Sequence, residues 1–317
     1  MNLPTFTQII TDLHGETGQE WLKNLPQFLE HFAQRWNLTL LPPFENLTYH
    51  YVCPAIRADG TQAVFKAHLP MNNELDTEAA ALYAYGGRVT PRLLEADPDG
   101  GAILIDRLTP GDLLTTLPDD DQATRIVAEV MKRLWVPVPD ETTIWHSVGV
   151  QEIRRFPTTA EWAKGLERLR PAFDGTTGPF PTRLVERAER ISAELHASPE
   201  PYVLLHGALH HFNILSAERE PWLIIDPKGL IGEPAYETGA LLRNPIDTLY
   251  TRPDFPQITA RRVDILAEHL ALDRQRIIAW GITQAVQSAW DDWENHQRLD
   301  KDVLYLAEVL DEMVRDA

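Results

Sequence analysis

The sequence predicts an α+β chain of two lobes, a small one rich in β-strands behind an N-terminal helical extension and a large one that is mainly helical. Three observations carry this. Between Thr39 and Ile105 the apolar residues come in short runs separated by turn signals. Ahead of them lies an apolar stripe at helical spacing, and beyond Asp119 long segments of helical periodicity dominate. At 317 residues with 44% hydrophobic content, the chain can bury the core such an arrangement needs.

In chain order, Trp21, Leu22, Leu25, Phe28, Leu29, Phe32 and Trp36 recur at spacings of three and four, which predicts an amphipathic helix over 17–37, with a break expected at Pro26. It forms an extension, residues 1–38, packed on the small lobe, residues 39–107. There, strands over 49–56 and 62–67 flank Asp59-Gly60, a tight-turn dipeptide because glycine accepts positive φ cheaply. Lys66 sits on the second of these strands, and a helix over 75–85 follows. Leu93-Leu94 and Ala102 to Ile105 are the last strands of the lobe, joined through Asp97-Pro98-Asp99-Gly100-Gly101. The large lobe, residues 108–317, opens with a helix over 119–135 whose three leading aspartates favour a helix N-terminus. Further helices are expected over 159–169, 181–195, 256–270, 273–295 and 301–315.

The chemistry concentrates in Leu204-Leu205-His206-Gly207-Ala208-Leu209-His210-His211-Phe212-Asn213 and in Trp222-Leu223-Ile224-Ile225-Asp226-Pro227. A short loop ending in Asn213 offers an amide oxygen. Thirteen residues later Asp226 ends an apolar run that reads as a buried strand lifting a carboxylate out at its tip. Hard cations such as Mg²⁺ take oxygen ligands of this kind, with nucleotide phosphates completing the shell. His210 and His211 do not make a zinc site, because adjacent side chains project differently and no cysteine or carboxylate cluster joins them.

These segments resemble the catalytic and metal loops of the aminoglycoside phosphotransferases, specifically the streptomycin 6-phosphotransferase and hydroxyurea-kinase-like family. That family shows His-Gly-Asp-Leu-His-His, then Asn, then Ile-Asp-Pro, then Gly-Glu/Asp-Pro-Ala-Tyr. Here the last run is Gly232-Glu233-Pro234-Ala235-Tyr236, continued by Gly239-Ala240-Leu241-Leu242-Arg243-Asn244-Pro245. Trp21-Leu22, Arg35-Trp36, Ala58-Asp59-Gly60-Thr61 and Arg133-Leu134-Trp135 extend the likeness over most of the chain.

The resemblance implies a protein-kinase-like fold and transfer of the ATP γ-phosphoryl group to a hydroxyl of a small molecule, an aminoglycoside such as streptomycin, with Mg²⁺ at Asn213 and Asp226. It gives Lys66 the α- and β-phosphates and makes Glu78 the helix residue that holds that lysine, with Glu74 the fallback one turn earlier. It passes the adenine along the backbone of Asp106 and Leu108. The loop from Phe44 to Tyr49 contains no glycine and so departs from the glycine-rich phosphate loop of protein kinases. Ala208 stands where the family has its catalytic aspartate, which orients the substrate hydroxyl and accepts its proton. With Lys66, Glu78, Asn213 and Asp226 all kept, an engineered Asp→Ala change in an otherwise intact kinase accounts for this, and the chain is expected to be inactive. The alternatives are a kinase of another hydroxylated metabolite or antibiotic, and a natural, catalytically silent nucleotide-binding protein.

At the acceptor end, Glu233 and the helix carrying Trp290 and Asp291 offer carboxylates beside aromatic faces, a mixture that suits a cationic, hydroxylated ligand. The same residues read equally well as a helix with tryptophans in the core and acids in solvent. A formal net charge of −18 excludes nucleic acid and anionic membranes as natural partners and is compatible with a cationic one. One cysteine, Cys53, rules out an internal disulfide framework. With no leader-like or bilayer-spanning apolar run, a cytoplasmic location is expected.

Overall fold

The computed structural model describes residues 3–69, 74–152 and 154–315. They form two compact units, one of residues 1–109 and 140–155, the other of 110–139 and 156–317.

The first unit opens with helix α1 (Pro4–Arg35), which begins earlier than the apolar stripe. Its irregularity is at Gly15, with φ 55° and ψ −132°, and not at Pro26, which the helix carries through. A left-handed φ costs glycine little, so the chain bends there and both halves lay apolar residues on the sheet. That sheet is antiparallel in the order β1-β2-β3-β5-β4, from β1 (Leu38–Leu40), β2 (Tyr51–Arg57), β3 (Gln62–Ala67), β4 (Leu93–Asp97) and β5 (Ala102–Asp106). Alternation splits β2 and β3 between two faces. Tyr51, Cys53, Ala55, Ala63, Phe65 and Ala67 join Phe6, Trp21, Leu29 and Phe32 of α1 in one core. Lys66 lies one residue out of that phase, opposite Val52 of β2 and Ile103 of β5. Helix α2 (Glu74–Tyr85) follows β3.

The chain then enters the second unit through β6 (Pro110–Leu113), α3 (Asp120–Leu134) and β7 (Val136–Pro137). Asp119 caps α3, accepting from the Gln122 N–H. Residues 140–155, expected in the large lobe, belong instead to the first unit, where α4 (Glu141–Ser147) packs against α2 and buries Trp145. The segment 159–169, expected as one helix, is α5 (Thr159–Ala163), a 3-10 turn over Leu166–Arg168, and α6 (Leu169–Ala172).

Helix α7 (Thr182–Ala197) leads into β8 (Val203–Leu205), β9 (Ile214–Ala217), β10 (Trp222–Ile224) and β11 (Leu230–Gly232). These make two small antiparallel sheets, β10-β9-β6 and β11-β8-β7. Helices α8 (Pro234–Leu242), α9 (Phe255–Leu270), α10 (Arg274–His296) and α11 (Lys301–Arg315) complete the unit. Arg262 of α9, 1% exposed, is paired in two-pronged fashion with Asp120 and donates to the carbonyls of Leu241 and Asn244. It thereby ties α3, α8 and α9 together with every charge partnered. Among the described residues, no helix is long and apolar enough to cross a membrane.

Candidate active site

In the first unit, β3 and α2 bring together the two charged residues that the sequence paired. Alanines 79, 80 and 81 keep the buried face of α2 thin, so the helix can lie close to its neighbours. Lys66 Nζ is then 2.6 Å from Glu78 Oε2, and the two side chains are 7% and 4% exposed. Contact thus falls on Glu78. Glu74, in the first turn of α2, is exposed. Such a buried pair gains little net stability, but removing one member takes the close charged partner from the other. Asp106 ends β5 with its N–H given to the Arg92 carbonyl and its carboxylate gripped by the Arg92 side chain, with Nε at 2.6 Å. Leu108 lies two residues beyond the strand.

In the second unit, β8 delivers the chain into a loop held almost wholly through its backbone. His206, fully buried, donates its N–H to Glu237 Oε2 at 2.6 Å, and Gly207 donates to Glu237 Oε1 at 2.9 Å. Gly207 takes φ 84°, the left-handed conformation that turns the chain outward. The Ala208 N–H lies 3.2 Å from His206 Nδ1, which must therefore accept. The imidazole proton is then on Nε2, which donates to the Ile225 carbonyl at 2.8 Å. Burial pushes the His206 pKa down to about 4, in keeping with that neutral ring.

Asn213 and Asp226 are drawn together by the same stitching. The Ile225 N–H donates to the Asn213 carbonyl at 2.9 Å, and the Lys228 N–H to the His206 carbonyl at 2.7 Å. Asn213 Nδ2 donates to the Ala208 carbonyl at 3.0 Å. Spending its amide nitrogen inward leaves the side-chain oxygen as the group to offer a cation, which fits Mg²⁺. Asp226 is half-buried and held at φ 62°, a conformation that a non-glycine residue keeps only when its surroundings enforce it. His210 and His211 are kept neutral, with burial pushing them down to about 4 and about 3. Among the described residues, no group of three or more His, Cys, Asp or Glu is placed to hold a metal.

At the centre sits Ala208, half-buried, its N–H and carbonyl both engaged. Its methyl group can neither accept a proton nor orient a hydroxyl.

The family described as aminoglycoside/hydroxyurea antibiotic resistance kinase matches residues 48–295. The chain belongs to this family. It is 33% identical to the streptomycin 6-kinase of Streptomyces glaucescens over 298 residues, 93% of this chain and 92% of that protein. It is also 33% identical to the hydroxyurea phosphotransferase of Kitasatospora aureofaciens over 300 residues, 93% of this chain and 82% of that one. Its fold is similar to that of a thermostable mutant of the aminoglycoside phosphotransferase APH(4)-Ia, solved with ADP and hygromycin B. The TM-score is 0.59 at 13% identity, with 90% of this chain and 97% of that chain covered. The fold is thus the two-lobed, protein-kinase-like one, and the chain is a phosphotransferase by family.

In this antibiotic kinase, two of the expected acceptor residues are committed elsewhere. Glu233 is 1% exposed and immediately precedes α8. Its carboxylate accepts from Arg276 Nε at 2.5 Å, from the Trp280 indole N–H and from the Glu200 N–H at 3.0 Å. Burial alone would push its pKa up, yet these donors hold it below the usual carboxylate range. It anchors α8 to α10 and presents no carboxylate to a ligand. Trp290, 2% exposed, packs on Phe173 and Phe180 and belongs to the core. Asp291 differs from both. It is half-buried, no side chain or amide among the described residues holds its carboxylate, and burial with Glu294 nearby pushes its pKa up to about 6.

The residue that sequence reasoning missed is Glu237, 1% exposed on α8, which holds the loop that begins at His206. Burial pushes its pKa up to about 7, against the pull of the backbone N–H groups it accepts from. Its signal was there to find: one acid within Ala235 to Leu242, a helix buried on every side.

Proposed function

We propose that this chain is an ATP-dependent O-phosphotransferase of the antibiotic-kinase class whose donor site is complete and whose catalytic base is missing. The observation that carries the reading is the loop at Ala208, whose N–H and carbonyl are both engaged around a methyl group. In this reading Lys66, fixed by Glu78, binds the α- and β-phosphates, and Asn213 and Asp226 hold a Mg²⁺ ion. That ion, when bound with nucleotide, supplies neutralisation of phosphate charge. His206 fixes the loop through its neutral ring, and Glu237 fixes it through two backbone N–H groups. Asp291 is the carboxylate offered to a cationic acceptor, with streptomycin the acceptor named by a similar kinase and hydroxyurea by another.

Ala208 itself favours a second reading, that of a silent nucleotide-binding protein. One experiment separates the two. ATP consumption is measured for the chain and for Ala208→Asp, each with streptomycin, hydroxyurea and other hydroxylated antibiotics. Acceptor-dependent turnover in the aspartate form alone supports the kinase reading. AMP-PNP binding without turnover in either form favours the silent binder, and absence of Mg²⁺-dependent nucleotide binding would sink both.

A further inference from the structure

Two carboxylates on α2 point in opposite directions. Glu78 turns to Lys66 on β3, while Asp76, two residues earlier, lies roughly 200° round the helix at the pitch of an α-helix. Asp76 is only 2% exposed and forms an ion pair with the Arg154 guanidinium. The same guanidinium donates to Asp99 Oδ1 at 2.7 Å, and the Gln151 N–H donates to Asp99 Oδ2 at 3.3 Å. Arg154 belongs to the 140–155 segment, the stretch that leaves the second unit's sequence to join the first and lays α4 against α2. Helix α2 is therefore gripped on two faces, by a strand lysine on one and by this arginine on the other.

We propose that Arg154 is a positioning residue for the nucleotide site: by holding Asp76 against the Asp99 turn, it fixes the rotation of α2 that presents Glu78 to Lys66. The inference rests on the nucleotide role proposed above for Lys66 and Glu78. Its physical basis is the cost of stranding a buried carboxylate. Without the guanidinium, Asp76 gains by turning toward water, and a helix turns as one body, so Glu78 is carried away from the lysine.

The test is AMP-PNP affinity with Mg²⁺, measured by calorimetry on the full chain, with melting temperature recorded beside it. Arg154→Met should weaken binding about tenfold alone but less than about twofold in an E78Q background, the non-additivity expected of residues acting through one contact. Adding Asp76→Asn to R154M removes the stranded charge and should restore most of the affinity, which a merely structural loss would not show. Should R154M fail to fold, Arg154→Lys, which keeps the charge without the two-pronged reach, should show the same pattern on a smaller scale. If Lys66→Ala weakens binding while R154M does not, or if R154M costs as much beside E78Q as alone, the positioning role is overturned. If Lys66→Ala leaves affinity unchanged, the nucleotide reading falls and takes this role with it.

Discussion

In the first unit the candidate site rests on two charged side chains meeting in a buried place; in the second it rests on a loop whose contacts at position 208 are made by backbone groups. Lys66 and Glu78 form a close buried ion pair, so changing one takes a charged partner from the other. The loop of His206 to Asn213 is fixed by Glu237, by the His206 ring and by bonds to the 225–228 segment. None of these uses the side chain at 208. On the proposed reading, a catalytic base is absent while its surroundings stay assembled, and the loss should fall on chemistry rather than on the scaffold.

The largest effect that would sharpen this contrast is a gain. Ala208→Asp should raise acceptor-dependent turnover by about 10² to 10⁴, the usual contribution of a positioned general base, with little change in melting temperature. A marked loss of stability in that variant would show that the scaffold is not indifferent after all. In the first unit the converse applies. Lys66→Met or Glu78→Gln should each cost about 3–5 kcal/mol in denaturant unfolding, because a close buried ion pair is broken from one side. The double variant should cost less than the sum of the two. Additive losses would mean that the pair is not coupled.

Acid should probe the second unit. His206, His210 and His211 have folded-state pKa values of about 4, 4 and 3 against an ordinary 6.5. Their contribution is present above pH 6.5 and is lost as the pH falls toward these folded values. Glu237, raised to about 7 from 4.5, works the other way, its contribution being lost as the pH rises between the two. Three histidines outweigh one carboxyl, so stability should fall by about 2–4 kcal/mol between pH 7.5 and pH 5. A flat profile of melting temperature against pH would contradict the neutral assignment of these rings. The smallest effect is expected from Glu237→Gln, which keeps one accepting oxygen but turns an amide against an N–H group. A loss of about 1–3 kcal/mol is expected, with nucleotide affinity weakened because the loop carries Asn213. Unchanged unfolding would remove Glu237 from the scaffold.

Much of this was legible in the sequence because it is local. Strand alternation and Asp59-Gly60 located the hairpin that carries Lys66, and the loop-to-strand spacing located Asn213 and Asp226. What escaped is what depends on distant partners. Trp290 read equally well as a ligand group or as core and Glu233 as a ligand acid or a solvent one, and only Phe173 and Phe180 for the one and Arg276 and Trp280 for the other place both inside. Arg154 could not be assigned to α2, because nothing local reveals that residues 140–155 return to the first unit. The bend at Gly15 was hidden by Pro26, the stronger helix-breaking residue on paper. A proline within a helix is tolerated where packing holds both sides of it, whereas Gly15 sits where the chain must change direction.

Cys53 lies wholly inside the core of the first unit, and burial pushes its thiol up to about 12. Since the thiolate is the reactive form, this sulfur is nearly inert at neutral pH. It is also the chain's one cysteine. A cysteine placed on the surface of either unit would then take up a fluorophore without background, and its emission would report whether nucleotide binds to that unit.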